Sequence, residues 1–264
     1  MTAERAGNGA ETRAASETGT PEIYIAIDAQ GISRASLEAA VMVAEQVQAG
    51  LLGLFMEDLL LQSVAELPFT TEVVRSTGEE RDLFADHLRL RHRQLLDRMR
   101  LLFDECALAR QVRFRFEVSE RKLPIAVPPG QASGIYVPGR RRSGVSQRAG
   151  AALSRIKVLY DGSEQAHRAF DLVLSLASAG RCREVMVVNL QSLPTRLLTE
   201  LSQRGVRVYL LNEAPTQQAV LRHIVDGPVA DLVLVPLALA AGVDQTVLQA
   251  SLENSTSVGT LLVA

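Results

Sequence analysis

Tryptophan is absent from this chain, and aromatic residues make up only 4% of a composition that is 47% hydrophobic. A core must therefore be packed from Leu, Val, Ile and Ala, a palette suited to helices lying on a buried parallel sheet. Cysteine is nearly as scarce. Cys106 and Cys182 are too few for a disulfide framework and fit no redox or metal-ligand spacing, which favours a reducing compartment and predicts no metal site. Walker loops, H-E-x-x-H and G-x-S-x-G are missing. The longest apolar stretch near the end, residues 232–243, is too short to span a bilayer and contains Pro236. The first twenty residues lack an apolar signal core, so residues 1–21 read as a disordered tail. A net charge of −2 predicts no bulk attraction to nucleic acid or to anionic membranes. These exclusions predict a soluble, cytoplasmic protein.

What is present is a repeated pattern. A buried strand ending at Asp28 is followed by a helix opening at Ser33 or Ser36, with Leu37, Ala40, Val41, Ala44 and Val47 on one face, and then by a second strand over 51–57. Such a βαβ unit makes its two strands parallel. A second unit runs from a strand ending at Asp161 through a helix over 166–177 to a strand over 184–190. Aligning Asp28 with Asp161 brings Leu37 onto Phe170, Val41 onto Leu174, Ala44 onto Ala177 and Leu54 onto Val187 without a gap. Each half has a third strand (112–118 and 206–212) and a fourth (134–139 and 231–237). Only the second half shows a fifth, over 256–264. The strand at 156–160 can close the first sheet or open the second, and the first sheet reads as incomplete. Two α/β domains follow, 22–150 and 155–264, each an open, mostly parallel sheet with helices on both faces. An insertion over 58–110 holds an apolar piece at 59–67 and a helix of about thirty residues. Its expected start is a capping box of Ser76 with Glu79, and its buried stripe runs through Phe84, Leu88, Leu95, Met99, Leu102 and Cys106.

The opening strand–Asp–helix units, above all Y-D-G-S-E at Tyr160–Glu164, resemble the start of universal stress protein domains. A V-P-G-R-R-R-S-G segment after the fourth strand adds to the likeness. It covers nearly everything from Glu22 onward as two domains in tandem, and implies the adenine-nucleotide alpha-hydrolase-like (HUP) fold. The resemblance implies that ATP or AMP, where bound, lies at the carboxyl ends of the strands. An Asp stands there near the adenosine, and a G-x-x-G segment followed by G-S or G-T holds the phosphates through backbone N–H groups. Carried over, Asp28 and Asp161 match the acid, with Gly162 and Ser163 beside the latter. Gly139 matches the first glycine. Arg142 stands in place of the second, Gly144 is two residues late, and Arg140–Arg142 form a possible phosphate clamp. In the second half Leu237 replaces the glycine. Both sites read as eroded.

Each of these residues has a plainer role open to it. Asp28 and Asp161 serve equally well as helix caps, and Ser163 with His167 forms no triad. His87 and His92 are expected to be solvated or paired with acids. The segment 110–157 is basic, with only Glu117 and Glu120 opposing it, but has few aromatics for base stacking. The resulting expectation is a non-catalytic binding or regulatory module without a cofactor, with an internal pseudo-dimer and a possible homodimer. Its rivals are an AMP/ATP binder with a modified phosphate site and, less favoured, an RNA or polyanion binder.

Overall fold

A computed structural model describes residues 21–28, 31–56, 63–65, 67, 70–73, 76–82, 84–119, 132–139, 153–225 and 230–264. Nine strands form one sheet. In chain order they are β1 (Glu22–Ile27), β2 (Gly50–Met56), β5 (Phe114–Ser119), β6 (Ala132–Pro138), β7 (Arg155–Tyr160), β8 (Glu184–Asn189), β9 (Arg207–Asn212), β10 (Leu232–Pro236) and β11 (Gly259–Val263). A separate hairpin pairs β3 (Thr71–Val73) with β4 (Glu80–Asp82). The helices are α1 (Arg34–Gln46), α2 (Ala85–Leu108), α3 (Glu164–Ser178), α4 (Thr195–Gln203), α5 (Gln217–Val225), α6 (Leu237–Ala241) and α7 (Gln245–Glu253).

The strand order is β5-β2-β1-β6-β11-β10-β7-β8-β9. Every neighbouring pair is parallel except β6 with β11. The first four strands thus run opposite to the last five, and the two groups direct their carboxyl ends to opposite edges of the sheet. The strand at 156–160 pairs with β8 and β10, so it is central to the second group. The place beside β6 goes to β11, the last strand of the chain.

Short-range chemistry sets the helix starts. Ser33 and Ser163 are the N-caps of α1 and α3, accepting from the N–H groups of Ser36 and Ala166, each interaction worth about 1 kcal/mol. Asp28 and Asp161 are therefore not the caps. The chain must first turn through Gly31 (φ 77°) or Gly162 (φ 78°), which moves the helix start downstream. Helix α2 also begins differently from expectation. Ser76 and Thr77 lie in a turn between β3 and β4, so Ser76 with Glu79 opens no helix. Phe84 is an N-cap without a side-chain hydrogen bond and is 53% exposed. Met99, Phe103 and Cys106 are the buried anchors, with Phe103 stacked on Phe114 at 4.3 Å. The segment 59–67 lies largely outside the described residues.

Helices α1 to α4 cover one face of the sheet, where Leu37, Val41, Phe103, Phe170 and Val173 share a core with Ile25, Val158 and Val187. Helices α5 to α7 cover the other face over the second group, burying Val220, Ile224, Leu248 and Leu252 against Leu159, Val188 and Val233.

The seam between β6 and β11 is unusually close. A Cβ on Gly134 would stand 2.5 Å from the Leu262 carbonyl oxygen, and one on Gly259 would stand 2.0 Å from the Tyr136 hydroxyl. Tyr136 is fully buried, and its hydroxyl donates to the Ser36 carbonyl at 2.9 Å. Burial pushes its phenol well above the usual tyrosine range, despite the Ser36 hydrogen bond. Glu45 of α1 accepts from Arg181 across the seam and from Arg110 of its own half, both at 2.8 Å. The Arg181 hydrogen bond leads in holding its carboxyl below the ordinary glutamate range.

Gly259→Ala is expected to destabilise the whole chain by about 3 kcal/mol, since ring and strand cannot both yield. Urea denaturation monitored by far-UV circular dichroism checks this, and a loss below about 1 kcal/mol contradicts it.

Candidate functional site

In an open α/β sheet, the crevice outside the carboxyl ends of the strands, where strand order reverses, is the expected ligand site. This sheet has two such places, between β1 and β6 and between β7 and β10. The antiparallel seam puts them on opposite edges.

At the first, Asp28 and Gly139 follow the ends of neighbouring strands. The Gly139 N–H donates to the Val258 carbonyl at 2.8 Å. That carbonyl also accepts from Ser36 Oγ at 2.7 Å. A Cβ on Gly139 would lie 1.9 Å from the Ser257 carbonyl oxygen, so glycine is required here by the approach of the second half. Ser255 and Ser257 are buried behind it with their hydroxyls 2.8 Å apart. On the other side, α2 covers the turn after Asp28. The Ile32 N–H points at Met99 Sδ (3.4 Å), and Leu95 and Met99 crowd Gly31. Arg140, Arg142 and Gly144 lie outside the described residues.

At the second, Ser163 N–H and Oγ both donate to Asp161 Oδ1, at 3.0 and 2.6 Å. Ser163 Oγ also accepts from the Ala166 N–H at 3.1 Å. His167 lies 2.8 Å from the Ser163 carbonyl oxygen through Nδ1, and 3.1 Å from the Tyr160 hydroxyl through Nε2. A carbonyl only accepts, so Nδ1 carries the proton and Nε2 accepts from Tyr160. Burial, then Asp161, pushes the Tyr160 phenol up. The serine is thus committed as a cap and the histidine does not reach its hydroxyl. The backbone donor that starts α6 is also taken, since Ala238 N–H donates to Gln165 Oε1 at 2.7 Å. Gln165 is the residue that sequence reasoning missed. Only its place in the first turn of a helix beside the switch point marks it.

Other polar groups lie away from both crevices. Lys157 is buried and donates to the His223 carbonyl at 2.9 Å, near the carbonyl end of α5. His223 is buried with Nε2 3.1 Å from Glu213, which also holds Arg222. Burial pushes the His223 imidazole below 6.5 despite Glu213. Burial favours a raised Glu213 carboxyl, but the hydrogen bonds from His223 and Arg222 outweigh it and hold the group low. Lys157 therefore belongs to no basic surface, and Arg110 and Arg115 are tied to Glu45 and Glu22. Arg121, Lys122 and Arg148 lie outside the described residues. His92 is half-buried and packs on Phe55 at 4.8 Å; His87 is exposed beside Phe84. Both cysteines are buried and free, and burial pushes the Cys182 thiol up to about 11. A cavity of about 510 Å³ lies between α1 and α3, with Ile23, Val43, Leu261 and Val263 in its wall and Arg168 and Asp171 lining it too. Among the described residues there is no metal-ligating cluster, and no helix is long and apolar enough to cross a membrane.

The geometry defines an open, mostly parallel α/β sheet with two switch points. No protein-family model and no curated protein matches the chain. Among solved structures it is similar to a universal stress protein from Archaeoglobus fulgidus DSM 4304. The identity is 12%, over 91% of this chain and 95% of that one, with a TM-score of 0.42. The strand order, not this likeness, carries the class.

His223 gives a pH dependence of defined sign. A histidine whose pKa is depressed on folding lends its stability above the unfolded value of 6.5, and that stability is lost as pH falls through the folded value. Stability is expected to decline below pH 6.5 by up to about 1.4 kcal/mol per pH unit. His223→Gln should flatten this slope in urea titrations. An unchanged slope contradicts the assignment.

Proposed function

We propose that this chain is a tandem, degenerate member of the universal stress protein family, acting as a non-catalytic binding or regulatory module in the cytoplasm and without ordinary ATP binding. The tandem reading is supported by strand order. The second group reads third-second-first-fourth-fifth across the sheet, and the first group repeats this order without the fifth. β11 stands where that missing strand belongs, so the halves form an internal pseudo-dimer. The domain limits 22–150 and 155–264 follow from this reading.

One observation carries the functional part. Among the described residues, a backbone N–H at each crevice is already bonded to protein, Gly139 to the Val258 carbonyl and Ala238 to Gln165 Oε1. A phosphate entering either crevice must displace a protein acceptor and leave it unpaired, at about 1–3 kcal/mol each. Against a catalytic reading, Ser163, the serine beside His167, is committed as a cap. The polyanion reading loses Lys157 to burial, and Arg110 and Arg115 to acids.

Thermal unfolding with ATP, AMP and ADP tests the proposal. A ligand of the folded state at about a hundred times its Kd adds about 2.7 kcal/mol. The expected result is no shift with any of the three at millimolar levels. A saturable rise in the midpoint, lost on Asp28→Ala or Asp161→Ala, establishes the nucleotide-binding reading instead.

A further inference from the structure

The two ends of the sheet are unlike. At one edge, β5 turns the charged Arg115 and Glu117 to solvent, the usual protection against unwanted strand pairing. At the other, β9 reads Arg-Val-Tyr-Leu-Leu-Asn, with Tyr209 50%, Leu210 46% and Leu211 39% exposed. It has no proline, bulge or inward charge. Among the described residues no strand pairs with its outer side.

The free side of β9 is complementary to itself. Arg207 N–H and Glu213 N–H donate inward, to the Arg183 and Asn189 carbonyls of the β8 side. By alternation, Val208, Leu210 and Asn212 present their N–H and C=O groups outward. An antiparallel pairing of two copies must use these groups, and a two-fold axis at Leu210 aligns them all. Leu210 then faces the partner's Leu210, and Val208 faces the partner's Asn212, as hydrogen-bonded pairs. In the intervening close pairs Tyr209 meets the partner's Leu211, an aromatic–aliphatic contact. Such aromatic–aliphatic pairs stabilise sheets. Arg207 stays with Glu184 of its own copy, and Glu213 with Arg222 and His223.

We propose that β9 is a homodimerisation edge, joining two copies through antiparallel pairing centred on Leu210 into one continuous sheet. The occupant is a second copy because one register satisfies the outward backbone groups, the Leu210 pair and the two Tyr209–Leu211 pairs together. This does not depend on the functional reading above.

Sedimentation equilibrium of the full chain over a concentration series tests it, with Leu210→Lys and Leu210→Glu as variants. The wild type is expected to be dimeric. Each variant places like charges face to face at the axis and should weaken association about tenfold or more. Mixing the two should restore a 1:1 dimer, which only a Leu210–Leu210 pairing explains. A monomeric wild type, a single variant that still dimerises fully, or folded variants that stay monomeric on mixing overturns the proposal. If either variant fails to fold, Tyr209→Cys/Leu211→Cys decides. Oxidation should give a covalent dimer, and its absence overturns the register.

Discussion

The contact between β6 and β11 is the constraint on which the rest of the molecule depends. Two parallel sheets of opposite direction meet there, and they meet as adjacent strands in one hydrogen-bonded ladder. This is possible because Gly134, Gly139 and Gly259 remove side chains where backbone, or the Tyr136 ring, must pass. The gain is a shared core in which α1 and α3 lie on the same face and Glu45 binds an arginine from each half. The cost is that polar groups are buried along the seam. Tyr136, Ser36, Ser255 and Ser257 meet it by bonding to one another or to backbone carbonyls.

The same contact decides what the first crevice is able to do. Because β11 runs against β6, its leading residues arrive at the carboxyl edge of the first four strands. The Val258 carbonyl there accepts from the Gly139 N–H and from Ser36 Oγ. At the second crevice the Ala238 N–H is bonded to the side chain of Gln165. One acceptor is thus backbone brought in from the other half and the other is a single side chain.

Much of this fold was legible in the sequence because it rests on local periodicity. The nine strands of the main sheet, the α1 and α3 faces and the gapless alignment of Asp28 with Asp161 all follow from the order of apolar residues. The capping box at Ser76 and Glu79 misled, because its residues turn between two short strands before α2 starts. Long-range partners were the larger omission. Ser36 and Val258 are 222 residues apart, and no local pattern marks them as neighbours. Gly139 was visible as a glycine in a suggestive place, but its reason lies in Ser257, at the far end of the chain. In the basic run at 110–157, Arg110 and Arg115 find their acids, Glu45 and Glu22, outside the run in sequence.

The central claim is that the Gly139 N–H is held inside the sheet by Val258 and is not offered to a ligand. Site-resolved amide hydrogen exchange measures this directly. The Gly139 amide is expected to be protected as strongly as the interior amides of β6 and β11, with or without ATP. Fast exchange at Gly139 in the free protein, slowed when ATP is added, contradicts the account.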